Sequence, residues 1–215
     1  MRDYGGGEIK IEQELGTFNG FTRTLISWPS DGLTIYGFMN VPLGEGPFPV
    51  VLVLHGYIDP VVYGTLTYTT RYADALASQG YLVVHPNYRN HAPSDSGPNE
   101  FRIGYAVDVL NLVGLIRQGV LELAAPDSIG VWGHSMGGGI ALRTATVSSD
   151  IRAAVLYGSM SGDERKNFDR IFNYWTDGQA GQWEFATSDE DLLRISPIYH
   201  LGRITAAVSV HHGAQ

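Results

Sequence analysis

The residues in this chain whose types and spacing best suit covalent chemistry are Gly133-His134-Ser135-Met136-Gly137. A serine with glycine two residues away on either side can occupy a turn too tight for other side chains at the flanking positions. Such a turn lifts the hydroxyl clear for attack on an acyl carbon. The chain holds 27 glycines in 215 residues, so the pattern alone says little and its flanks decide. Ser128 to Trp132 is β-rich and Met136 to Thr146 has helical character, which predicts a strand, a sharp turn and a helix. Gly133 and Gly137 are then small because strand and helix nearly touch. The helix N-terminus offers the Met136 N–H to negative charge developing on a substrate oxygen. A second apolar run, Val50 to Leu54, leads into His55-Gly56-Tyr57, and the Tyr57 N–H is the expected second donor.

These groups need a scaffold, and the rest of the chain supplies its pattern. Phe21 to Trp28 and Leu33 to Val41 read as strands joined by the turn Pro29-Ser30-Asp31-Gly32. Tyr81–Val84, Ile129–Trp132, Ala153–Leu156 and Ala206–Val210 join Val50–Leu54 as short continuous apolar runs. Runs without polar alternation suit strands covered on both faces of a parallel sheet. Between them, Tyr72, Ala73, Leu76 and Ala77 keep helical spacing, and Gly80 is placed to end that helix as its C′ residue. Ile103, Ala106, Val107, Leu110 and Val113 make an amphipathic stripe, and Ile140, Ala141, Leu142 and Ala145 a third. The alternation predicts an α/β class with a doubly wound, mostly parallel sheet, in one domain over residues 1–215. The stretch 161–195 breaks the rhythm and is expected to form a lid or pocket wall, with Trp175 and Trp183 shaping a substrate pocket near Tyr57.

Composition narrows the chemistry further. The chain is 44% hydrophobic, carries a formal charge of -8 and has only two lysines, Lys10 and Lys166. Without clustered positive charge, no nucleic-acid partner is expected. No apolar run reaches the length of a membrane span, and the N-terminus lacks the apolar core of a secretion signal, so the expected compartment is the cytoplasm. The absence of cysteine excludes disulfides, thiolate nucleophiles and cysteine-ligated zinc. No metal or organic cofactor is expected.

His55-Gly56-Tyr57, Asn87-Tyr88-Arg89, Gly133-His134-Ser135-Met136-Gly137-Gly138, and Ser196-Pro197 before His212-Gly213 resemble the prolyl-oligopeptidase-like and acetyl-ester-hydrolase-like branches of the α/β-hydrolase superfamily. The resemblance runs from about Leu33 to the last residue. It implies cleavage of esters or peptide bonds through an acyl-serine, with Ser135 as nucleophile and the Met136 and Tyr57 amides as oxyanion donors. It implies a small-molecule ester substrate, favoured over peptides because 215 residues leave no room for an N-terminal propeller domain. A hydrolase-fold binding module without catalysis is the competing reading.

An acyl-serine mechanism also needs a base and an acid that orients it. The resemblance places the acid in a His-Gly-x-x-Asp pattern and the histidine after the last strand, yet the chain reaches only His212-Gly213-Ala214-Gln215. Both partners, with the last strand and helix, are therefore expected beyond residue 215, on a second polypeptide segment or on chain outside this sequence. The open sheet edge would invite association into a homo-oligomer. Among the residues present, His134 is expected to point away from the hydroxyl and His55 to pack beneath the oxyanion loop. His85 and His91 are expected on a polar rim. His211 and His212 should structure the acid loop, and Asp163 is a minor candidate for the acid.

Overall fold

The computed structural model describes residues 2–176 and 188–213; Trp183 lies outside the described residues. Strands β1 (Lys10–Phe18), β2 (Phe21–Ser30), β3 (Leu33–Pro42), β4 (Phe48–Leu54), β5 (Leu82–Pro86), β6 (Ala124–His134), β7 (Ile151–Tyr157) and β8 (Ala207–His211) form one sheet. Their order is β1-β2-β3-β5-β4-β6-β7-β8. The first three are an antiparallel meander that joins β5 antiparallel, and β5, β4, β6, β7 and β8 run parallel. This is the doubly wound, mostly parallel sheet that the apolar runs predict. From β4 the chain passes to β5 on one side and then to β6 on the other, so its direction of winding reverses at β4.

Local details follow from residue chemistry. The hairpin between β2 and β3 is tighter than its sequence suggests. Pro29 and Ser30 stay in β2, Ser30 pairs with Leu33, and only Asp31 and Gly32 turn, both at positive φ (52° and 81°). An Asp-Gly pair tolerates two successive positive φ angles, and such a turn matches strand twist. Strand β1 has no counterpart among the predicted strands, because its residues are almost all exposed and carry no apolar alternation.

Helix α1 (Thr70–Ala77) covers one face of the sheet, packing Ala73 and Ala77 on Phe38, Val53 and Val83. Gly80 closes it at φ 92°, with Gly80 N–H donating to Ala77 and Tyr81 N–H to Leu76, the paired bonds of a Schellman end. Helices α2 (Ile103–Arg117) and α3 (Met136–Val147) cover the other face. The predicted stripe on α2 understates its burial: Asp108 and Asn111 are buried too. Asp108 meets Arg89 and Ser30, and Asn111 accepts from the Gly5 N–H. The N-terminal segment and β2 cover what the periodicity reads as a solvent face.

Residues 161–195 include α4 (Glu164–Arg170), a π-helical turn at Ile171–Trp175, and α5 (Asp189–Ile195). A 3₁₀ segment, Pro197–Arg203, leads on to β8. No helix among the described residues is long and apolar enough to cross a membrane, and none of their His, Asp and Glu residues group as a metal site.

Candidate active site

In open α/β sheets, ligands bind outside the carboxyl ends of the strands where the winding reverses. Strand β4 ends there at Leu54 and runs into His55-Gly56-Tyr57, and its neighbour β6 ends at His134. One residue, Ser135, separates β6 from α3. Its backbone is at φ 53° and ψ -116°, a conformation that costs a non-glycine residue roughly 1–3 kcal/mol and persists only where surroundings enforce it. The enforcement is visible. The Ser135 N–H donates to the Tyr157 carbonyl at 3.1 Å, and the Ser135 carbonyl accepts from Gly138 and Met160, each at 3.0 Å.

The flanking glycines have the steric role their spacing predicts. A Cβ on Gly133 would collide with the Gly137 carbonyl, and one on Gly137 with the carbonyl of Leu54 and, at 2.6 Å, that of His55. A Cβ on Gly56 would come to 3.2 Å from the Ser135 Cβ, so the His-Gly loop lies directly against the turn. Because Gly137 faces backbone rather than a flexible side chain, Gly137→Ala is expected to destabilise by about 3 kcal/mol or more. Urea denaturation of the purified variant measures this, and a loss below about 1 kcal/mol would contradict the geometry.

Met136 is the first residue of α3 and is buried. An N–H in the first turn has no acceptor within its own helix, so the Met136 amide is available beside the Ser135 hydroxyl. Tyr57 follows Gly56 on the opposing loop and is partly exposed; burial and the neighbouring Asp59 push its phenol up.

A cavity of about 700 Å³ opens on Ser135. Its walls come from Gly158 to Ser161 after β7, from Lys166 to Trp175 on α4 and the π-helical turn, and from His212 after β8. Trp175 thus lines the same cavity as Ser135. His212, which the sequence reading assigned to shaping a loop, shares it too. Its signals in the sequence are its place at the end of a strand and the His212-Gly213 pair.

Other histidines are engaged elsewhere. The His134 Nδ1 lies 3.0 Å from the Tyr68 hydroxyl, and its ring packs against Tyr68 and Tyr157. Burial and the Arg71 charge hold its pKa down. Asp163, the minor acid candidate, caps α4 by accepting from the Arg165 N–H at 2.9 Å. His55, His85 and His91 are all buried. The His55 ring stacks on His85 with centroids 5.7 Å apart and meets His91 edge-on at 5.2 Å. The expected polar rim for His85 and His91 is therefore wrong: Phe38, Tyr63 and Tyr105 close over them.

This buried trio sets a pH dependence. Burial and the neighbouring His91 push His55 down to about 3; burial, then the His55 charge, holds His85 well below the ordinary value, and burial lowers His91. In the unfolded chain they titrate near 6.5. Between that pH and the folded values the unfolded state binds more protons. Stability is thus fully present above about pH 6.5 and is lost as pH falls, by up to roughly 1.4 kcal/mol per pH unit per histidine. Melting temperatures between about pH 7.5 and 5 should decline with acid, and His91→Phe should flatten the decline. A melting temperature constant over that range would refute the assignment.

Comparison with known proteins speaks to the fold. A family model described as alpha/beta hydrolase fold matches residues 49–193. The lysophosphatidylserine lipase ABHD12 of Danio rerio is 28% identical over 153 residues, covering 62% of this chain and 37% of the relative. The chain thus spans little more than a third of that curated relative's length. Among solved structures, acetyl xylan esterase 1 from Thermoanaerobacterium sp. superposes with a TM-score of 0.67 at 14% identity, covering 96% of this chain and 81% of its own. Pyrococcus horikoshii acylaminoacyl peptidase superposes at 0.69 and 22% identity, covering 91% and 32%. At such identities these two structures speak to fold alone.

Proposed function

Because the chain belongs to the alpha/beta hydrolase fold family, we propose that it is a serine hydrolase cleaving carboxylic esters through an acyl-Ser135 intermediate. The observation that carries this reading is the Ser135 backbone at φ 53° and ψ -116°, held between β6 and α3 over a cavity. A strained serine at a cavity floor has a chemical use, whereas a structural turn could relax by taking glycine.

The Ser135 Oγ attacks the acyl carbon while an imidazole takes its proton. The carbonyl π electrons move to oxygen, and the Met136 and Tyr57 N–H groups stabilise that oxyanion, each donor being worth on the order of 3 kcal/mol. Collapse breaks the bond to the alkoxy group, which leaves as the alcohol with the imidazole's proton. Water then attacks the acyl-serine by the same route, releasing the acid and restoring the hydroxyl. In this proposal the base and its orienting carboxylate come from outside the described residues. A second reading makes His212 the base, because it shares the cavity with Ser135. His212→Ala separates the two: a loss of about 10³-fold or more in kcat supports His212, and near-normal turnover supports a base supplied elsewhere.

The similarity to a lipase supports ester substrates, and peptide cleavage is the alternative because the same acyl-serine chemistry opens either bond. Turnover of an activated acetyl ester and of the matching anilide tests the choice. Ester cleavage without anilide cleavage is expected, and the reverse preference favours the peptidase. A fluorophosphonate probe tests the mechanism itself. Stoichiometric labelling at Ser135 is expected, and an unlabelled protein favours a non-catalytic binding module.

A further inference from the structure

We propose that the chain carries a second ligand site, remote from Ser135, that binds a small organic phosphate between α3 and the segment after α5. The site is a cleft of about 380 Å³ lined by Arg143, Arg194, Arg203 and His200, with Ile103, Val147 and Pro197 as its apolar surfaces. No carboxylate is among the residues lining it. Such clustering stands out in a chain with a net charge of -8 and 14 Lys and Arg residues in all.

Arg143 is already paired with Glu164, so the charge left for a ligand is that of Arg194 and Arg203. Arg203 makes no ion pair among the described residues, and Arg194 has only Asp191 at 3.6 Å, one turn away on the same exposed helix face. Exposed pairs at that spacing are weak. Arg143 forms the floor. Its bonds go to the Phe101 carbonyl, to Glu164 and to the Ile195 carbonyl, so it holds the floor in place rather than supplying the free charge. The last turn of α3 contributes roughly half a negative charge beside the cleft, which offsets only part of the charge on Arg194 and Arg203.

The geometry is also held. The His200 Nε2 donates to the Arg194 carbonyl at 3.0 Å, tying the 3₁₀ segment to α5. Arg143 joins Ile195 to α3 from below. Guanidinium forks suit planar or tetrahedral oxyanions carrying more than one negative charge. The apolar flanks suit an attached hydrocarbon or ring, so the ligand class is an alkyl or aryl phosphate monoester rather than bare phosphate or a carboxylate.

Isothermal titration of the whole protein with phenyl phosphate, inorganic phosphate and benzoate tests the assignment. Saturable binding is expected, with phenyl phosphate tightest. Arg194→Ala and Arg203→Ala should each weaken it tenfold or more, and Arg203→Lys should weaken it less. Both arginines are exposed, and circular dichroism confirms that the variants are folded. Prior blocking of Ser135, or Lys166→Ala and Arg170→Ala in the large cavity, should leave the affinity unchanged. Lack of saturable binding overturns the proposal. So does binding that ignores Arg194 and Arg203, or binding lost on altering the Ser135 cavity. None of these results bears on whether Ser135 is a nucleophile.

Discussion

Ser135→Ala is expected to lower the hydrolysis of an activated ester by roughly 10⁴–10⁶-fold and to abolish fluorophosphonate labelling, with the fold intact. The reason for expecting so large a loss is that covalent catalysis has no partial form: without the Oγ no acyl-enzyme exists, and only the oxyanion donors and binding remain. A second substitution at the same position separates function from strain. Alanine keeps a Cβ and hence the cost of φ 53°, but glycine adopts that region freely. Ser135→Gly is therefore expected to be as inactive as Ser135→Ala yet more stable than it. The gap should be about 1 kcal/mol, or roughly 2–4 °C in melting temperature for a chain of this size. Equal melting temperatures for the two variants would mean that the turn stores no strain. A stabilised, inactive glycine variant would show strain retained for chemistry.

The tight turn at Ser135 was legible because three local signals coincide at one place. They are glycines at the two positions where a Cβ would strike backbone, an apolar strand before Ser135 and a helical run after it. The parallel core was legible because strands buried on both faces need uninterrupted apolar runs, and β4, β5 and the second half of β6 have them. The same expectation fails for β7, which is exposed at several positions, and for β8, which is exposed along its length at the sheet edge. Strand β1 escaped notice because an exposed edge strand carries no apolar alternation. His85 and His91 misled because a histidine after an apolar run reads as polar rim, and only the tertiary arrangement brings Phe38, Tyr63 and Tyr105 over them. The least legible part of the site is the anchoring of its wall. Arg102, Arg143 and Glu164 are scattered along the chain, and nothing local marks them as partners.

That anchoring carries the second large expectation. Glu164, the first residue of α4, accepts from Arg102 at 2.5 Å and from Arg143 at 2.6 Å, and all three side chains are buried. The Glu164 N–H donates to the Ser196 hydroxyl at 2.8 Å. Arg143 belongs to α3, the helix that begins directly after Ser135, and α4 leads directly into the cavity wall at Lys166–Trp175. One carboxylate thus fixes the wall to the helix that follows Ser135. Glu164→Ala would leave the buried Arg143 guanidinium without the counter-charge it has here, which typically costs about 3–5 kcal/mol. For this chain length the melting temperature should drop on the order of 10 °C. Folding and positioning can then be told apart. Buried ion triads can often be replaced by apolar side chains without loss of stability, so the triple variant Arg102→Met, Arg143→Met, Glu164→Leu should recover much of the lost melting temperature. If the triad also positions the wall, the recovered variant should still show a raised KM with kcat nearly unchanged, because apolar packing holds α4 without fixing its register. A triple variant normal in both stability and KM would reduce the triad to a structural pairing.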